Sequence, residues 1–299
     1  MATTTDTSTR IALYTHRTLG EKINVAIDFL RQNWRVALRF SIYLLLPLAL
    51  IHSVGLFTLV RSYTNVNYNS SEEGALLSII IFVIVICLIY TLILTLFQYY
   101  QGSDDGDLSM LKFKDVKGQM WKNLKRILVL LTSLVAVVAL LSFIMLASIT
   151  LPLISIIVFV GYSIMMFILM MVPIYYILEN CSVREAYSRS FSHARESSGK
   201  LIGLMFALLL VVGIILTSTS IPMTVFLICT EQLVPGGHLS RAVSISFDII
   251  LYVLMIAQTF FSYLSMALVL TTLVFHYGSN AREQDDLAIA VDIENFENL

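Results

Sequence analysis

Six apolar runs, each at least twenty-one residues long, alternate along the chain with polar stretches. They read Phe40–Val60, Ala75–Tyr99, Ile127–Ser148, Leu153–Leu178, Leu201–Cys229 and Val243–His276. As helices rising about 1.5 Å per residue, each is long enough to cross about 30 Å of hydrocarbon. The pattern therefore predicts six transmembrane helices. The block from Ile127 to Leu178 would be about 78 Å long as one helix, so it must fold back. Thr150-Leu151-Pro152 marks the turn, because proline suits the start of a helix and breaks its interior.

Ahead of the first, third and fifth runs lies a stretch with helical periodicity. The first opens Thr18-Leu19-Gly20-Glu21 and places Leu19, Ile23, Ala26, Leu30 and Trp34 on one face, with Lys22, Arg31 and Arg35 off it. The second opens Lys112-Phe113-Lys114-Asp115 and sets Phe113, Val116, Met120, Leu124 and Ile127 against Lys114, Lys117, Lys122 and Lys125. The third opens Ser182-Val183-Arg184-Glu185 and sets Val183, Tyr187, Phe191 and Ala194 against Arg184, Arg189 and Arg195. The first and third openings are capping boxes, a hydroxyl and a glutamate three residues on. The second keeps only the acid, which still suits the positive end of the helix. A basic helix with an apolar stripe lies in the plane of a membrane interface.

The repeating unit is thus an interfacial helix, a span out and a span back, three times in one orientation, as expected for repeats about an axis along the membrane normal. Any multi-pass protein carries basic amphipathic segments on its inner side, which is the plainer account of the same pattern. The expected fold is all-α. It is a polytopic membrane protein with six transmembrane helices, three cytoplasmic interfacial amphipathic helices and a threefold parallel repeat. The expected organisation is a disordered tail over residues 1–17, a membrane domain over 18–278 and an acidic tail over 279–299.

Charge orients this bundle. Seventeen of the nineteen Lys and Arg residues fall on one side of the six runs, and only Arg61 and Arg241 on the other. Basic loops stay on the cytoplasmic side, so both termini are expected inside. Of 299 residues 58% are hydrophobic and only 13% charged, against about 25% charged in soluble domains, which leaves no room for a second, globular domain. Three cysteines, Cys87, Cys181 and Cys229, make no disulfide framework. Residues 1–18 are polar with no short apolar run before a small-residue cleavage site, so the first span is expected to insert uncleaved.

Candidate chemistry is sparse. Ionisable groups at membrane depth usually mark function, and here the deepest strong polar group is Gln258. With Ser163 and Thr217 it defines a candidate cavity, although such residues more often hydrogen-bond between helices. The Thr217–Ser220 run before Pro222 marks a place where a helix could break. His52 reads as a neutral, hydrogen-bonded histidine, and Asp248 lies close enough in sequence to Arg241 to pair with it. The five histidines divide between the two faces and give no metal-ligand spacing. There is no phosphate loop and no nucleophile elbow. Ser163 and His276 fall too far apart along their spans to form a dyad. No catalytic residue and no cofactor is expected, so the chain reads as a non-enzyme.

Leu19-Gly20-Glu21 with Asn33-Trp34, Glu185-Ala186-Tyr187-Ser188-Arg189-Ser190-Phe191, and the closing Phe275-His276-Tyr277 with its acidic tail carry a resemblance. In these the chain resembles a group of bacterial multi-pass families related to the membrane domain found beside glycerophosphodiester phosphodiesterases. The resemblance covers most of the chain and brings no catalytic residue, since the phosphodiesterase barrel is absent. It implies a bacterial inner membrane location. The expected function is to organise or regulate membrane partners, with Lys114, Lys117, Lys122, Lys125, Arg184, Arg189 and Arg195 docking on the anionic inner leaflet or on partner proteins. The alternative is a carrier of a lipid or small apolar solute through the Gln258–Ser163–Thr217 region. No nucleic-acid partner is expected.

Overall fold

The structure is a computed structural model that describes residues 11–64, 71–103, 108–233 and 241–297. Residues 1–10, 65–70, 104–107, 234–240 and 298–299 lie outside them, as do the side chains of Arg61, Arg241 and residues 282–297. The pairing of Asp248 with Arg241 therefore also lies outside what is described. Among the described residues the chain is all-helical, with no strand.

The expected signals set the first helix boundaries. Thr18 Oγ1 accepts from the Glu21 backbone N–H at 3.4 Å, and Glu21 Oε2 accepts from the Thr18 N–H at 2.7 Å. This closes the capping box that starts α1 (Leu19–Gln32). Ser182 and Glu185 repeat the box, at 3.3 and 2.9 Å, to start α6 (Val183–Glu196). Lysine has no acceptor, so at the second opening only the reverse bond forms, from Lys112 N–H to Asp115 Oδ2 at 3.1 Å.

What ends these stretches also follows from single side chains. At Asn33, Nδ2 donates back to Phe29 O at 3.1 Å. At Ser197, Oγ donates back to His193 O at 2.9 Å. Short polar side chains that compete for the backbone in this way favour helix ends. They separate α1 from α2 (Trp34–Thr64) and α6 from α7 (Ser198–Leu233). The corresponding residue in the middle stretch, twelve beyond its acid, is Ile127. It offers no such competition, and α4 runs unbroken from Phe113 to Ser148. Three separate amphipathic helices were expected; two are separate, and the middle one is the first part of α4.

The remaining helices are α3 (Ser71–Gly102), α5 (Pro152–Leu178) and α8 (Arg241–Glu297). The fold-back lies where expected: α4 caps at Ile149 and Pro152 opens α5. Six helices are long and apolar enough to cross a membrane, over Trp34–Val60, Glu72–Gly102, Phe113–Ser148, Pro152–Leu178, Gly199–Thr230 and Ile245–Ala281. The helix does not break at the Thr217–Ser220 run, since α7 is continuous through Pro222. Hydroxyls of Thr219 and Ser220 bond the carbonyls of Ile215 and Thr217 at 2.9 and 2.8 Å. Helix α8 continues through residues 279–297, so the acidic segment prolongs the last helix instead of forming its own element. Nothing between Ser279 and Glu297 breaks a helix, and Ala, Arg, Glu, Gln and Leu favour one.

The chain divides into two units. One comprises Met1–Val36, Tyr90–Leu208 and Leu268–Leu299, and the other Ala37–Ile89 and Leu209–Ala267. The first unit has an aromatic core. Phe29 stacks on Phe97 with centroids 4.4 Å apart and meets Tyr100 and Phe275 edge-on at 5.0 and 6.0 Å. Such pairs contribute about 0.5–1.5 kcal/mol each beyond their buried area. Residues 11–17, assigned to the tail by sequence, pack on this unit. Ile11 N–H donates to Tyr100 Oη at 2.7 Å, Arg17 N–H to Ser279 Oγ at 3.2 Å, and Leu13 is buried. In the second unit, Gly55 allows α2 and α3 to approach so closely that a Cβ there would lie 2.6 Å from Ser78 Oγ. His52 Nδ1 lies 2.7 Å from Tyr263 Oη, and Ser53 Oγ donates to Thr259 Oγ1 at 3.3 Å.

Candidate functional site

The buried face of α1 is not the one the apolar stripe marks. Lys22, Ala26, Phe29 and Asn33 are buried, whereas Trp34 is exposed. Lys22, expected on the polar side, is 1% exposed. Its Nζ lies 3.0 Å from His276 Nδ1 on α8. The side-chain amide of Asn280, one turn beyond His276, lies 3.1 Å from His276 Nε2 and 3.4 Å from Ser197 Oγ.

With Lys22 as an ammonium, which only donates, His276 Nδ1 is the acceptor and the ring proton belongs on Nε2. With the Asn280 nitrogen turned to Nε2, two donors would face each other and Asn280 Oδ1 would be buried without a partner. The two ends of a carboxamide are told apart by their partners. The amide oxygen therefore belongs at Nε2. His193 and Lys200 lie within electrostatic reach of His276. The assembly joins α1 to α8 through Lys22 and His276, and α8 to the α6–α7 junction through Asn280 and Ser197. Ser197 Oγ directs its proton at the His193 carbonyl, so no activated hydroxyl results.

The same face recurs in the other two stretches. Val116, Met120 and Asn123 are buried in α4, and Ala186, Ser190 and His193 in α6. The cations point the other way: Lys114, Lys117, Lys122, Lys125, Arg184, Arg189 and Arg195 are all exposed. Lys125 Nζ lies 5.4 Å from the centroid of the exposed Trp121 ring. Arg189 is engaged by Glu179, whose carboxylate raises the guanidinium above its ordinary value. Bonds from the backbone and hydroxyl of the capping residue hold Glu21 and Glu185 below the usual carboxylate range.

Arg126 was not singled out by sequence. Its guanidinium bonds the Asn180 side chain, donates to Tyr176 O at 2.6 Å and to Cys181 O at 3.3 Å, and lies 4.3 Å from the Tyr176 ring centroid. It thereby satisfies carbonyls at the C-terminus of α5, where Asn180 takes a left-handed φ of 53°. Burial raises the thiol of the adjoining Cys181 above its ordinary value.

Of the candidate cavity residues, Gln258 and Thr217 belong to the second unit and Ser163 to the first. Gln258 Nε2 donates to Leu216 O at 3.4 Å, beside Thr217, in the second unit. Ser163 belongs to the first unit, where its hydroxyl bonds Phe159 O at 2.9 Å. Thr217 lines a cleft of about 370 Å³ with Leu209, Leu210, Gly213, Ile214 and Ser218, all on α7. Among the described residues no three His, Cys, Asp or Glu side chains converge to hold a metal ion. Comparison of the chain with known protein families, curated proteins and solved structures finds no match in any of the three.

Proposed function

We propose that this chain is a non-enzymatic multi-pass membrane protein that organises or regulates membrane partners through a cationic surface. The observation that carries this reading is the division of α4 and α6 into a buried face and an exposed basic one. Counted from Glu21, Asp115 and Glu185, the residues one, five and eight further on are buried in all three. That common register supports a threefold repeat of one unit. With the inner faces committed to packing, exposed cations such as Lys114, Lys117, Lys122, Arg184 and Arg195 face outward from the chain. Near an anionic leaflet each is worth about 1 kcal/mol, and an exposed tryptophan such as Trp121 suits the headgroup level.

On this reading the basic segments lie on the cytoplasmic side of a bacterial inner membrane, both termini with them, as in the multi-pass families the sequence resembles. The carrier reading has less support, because among the described residues the groove at Thr217 is lined by α7 alone. The test is charge reversal of Arg184 and Arg195 together with Lys117 and Lys122, all to Glu, followed by cross-linking mass spectrometry in native membranes. The expected result is unchanged insertion with loss of cross-links from α4 and α6 to neighbours. An unchanged cross-link pattern would count against the proposal.

A further inference from the structure

No Asp, Glu, Lys or Arg stands between Arg126 and Glu179, so the α4–α5 hairpin carries charge at one end only. Arg126 ties the two helices together at that end, donating to Tyr176 O and Cys181 O at 2.6 and 3.3 Å. Charged groups avoid hydrocarbon, so with α4 and α5 as crossings the hydrocarbon edge falls at Arg126. Helix α4 does not turn there. It is unbroken from Phe113 to Ser148 and contains no proline, so its first turns run on past the edge instead of lying along it. For a helix along the membrane normal, Lys125, Lys122 and Trp121 stand about 1.5, 6 and 7.5 Å beyond Arg126, and Lys117 and Lys114 about 13 and 18 Å. The headgroup layer is about 5–7.5 Å deep on each side. It takes in the first three residues and leaves out the last two.

Trp121, Lys122 and Lys125 are all exposed, and the Lys125 ammonium lies 5.4 Å from the Trp121 ring centroid. The same side of the helix continues as Leu128, Val129 and Thr132, also exposed. Within one turn it passes from cations to an apolar surface, the order in which a phospholipid passes from phosphate to acyl chain. Gln119 and Asn123 hold the opposite side, about 160° round the helix from Trp121 and Lys125. There their amides bond Gln98 of α3 at 3.0 and 2.8 Å. Of the acids on this hairpin and its ends, Asp115 accepts from the Lys112 N–H and Glu179 from Arg189. The connection before α4 brings Asp104, Asp105 and Asp107, which lie outside the described residues. With them, residues 104–126 carry six cations (Lys112, Lys114, Lys117, Lys122, Lys125 and Arg126) against four anions, so the segment stays positive. A free anion gains little at lysines so open to water, whereas a lipid adds acyl contact with Leu128 and Val129.

We propose that Trp121, Lys122 and Lys125 form a docking site for the phosphate of an anionic phospholipid, whose acyl chains lie along Leu128 and Val129. The site rests on the cationic membrane surface proposed above and names one partner of it. Lys114 and Lys117, beyond the headgroups, take no part. The test releases the full-length protein from nanodiscs of equal phosphatidylglycerol and phosphatidylcholine and counts retained lipids by native mass spectrometry. The parent should retain phosphatidylglycerol in preference. Lys122→Gln with Lys125→Gln should lower that preference fivefold or more, at about fivefold per cation. Lys114→Gln with Lys117→Gln should leave it unchanged. Lys125→Gln alone, a milder change, should show a partial loss even where the double variant inserts poorly. Equal retention of the two lipids by the parent, a preference that survives the loss of Lys122 and Lys125, or one lost with Lys114 and Lys117 would overturn the proposal. Cross-links to protein neighbours are a separate readout, so failure of lipid docking and failure of partner docking are told apart.

Discussion

Lys22 is the residue on which the packing of α1 turns. Its ammonium and the imidazole of His276 are joined at 3.0 Å in a place water does not reach. Removing one partner from a buried pair costs the other a hydrogen bond, at about 1–3 kcal/mol. Replacing both by apolar groups of similar size can be far milder. Lys22→Met and His276→Leu should each destabilise by about that much, and the double variant by clearly less than the sum. Thermal unfolding of the four proteins in one detergent measures the coupling; strict additivity would show that the contact contributes nothing.

A second residue-scale prediction concerns acid. Glu21 and Glu185 are bonded as carboxylates and titrate below the usual range. Their capping contribution is complete above the unfolded value of about 4.3 and fades as pH falls through the lower folded value. Hydrogen exchange in the first turn of α6 should accelerate only at such acid pH. Glu185→Gln, which keeps an acceptor but does not titrate, should flatten that dependence.

At the scale of the element, the segment 11–17 depends on Gly278. A Cβ at that position would lie 2.5 Å from Leu13 O and 2.8 Å from Leu13 Cγ. Gly278→Ala improves helix propensity by about 1 kcal/mol yet should dislodge the segment. Proteolysis within residues 11–17 should become several times faster while α8 keeps its helicity, and unchanged cleavage would show that the contact is dispensable.

Elements also explain why sequence reading went only so far. The capping boxes, the six runs and the proline turn were legible because each is written in neighbouring residues. The buried faces of α1 and α6 were not, because periodicity marks the apolar stripe of a helix but not the angle at which partners meet it. Lys22 was misplaced for that reason. Aligning the three stretches on their acids would have found it, since Val116 and Ala186 stand at its position. Polar pairs one turn apart, His276 with Asn280 and Gln119 with Asn123, were a second signal. The end of α1 and the continuity of α4 turn on Asn33 against Ile127, a difference visible in sequence once the register is known. Arg126 carries no local signal, because its partners lie fifty or more residues away.

For the whole molecule, the account depends on which side of the membrane holds the cations. Six crossings are supported by length and composition alone, and the exposure of the lysines and arginines gives them a role only if they share one side. The most direct measurement is labelling by a membrane-impermeant maleimide in intact and permeabilised cells. It uses protein with Cys87, Cys181 and Cys229 replaced by Ser and single cysteines introduced as Lys117→Cys, Arg184→Cys or Glu72→Cys. The account predicts that Glu72→Cys reacts in intact cells, while Lys117→Cys and Arg184→Cys react only after permeabilisation. Reaction of Lys117→Cys or Arg184→Cys from the outer medium would contradict it.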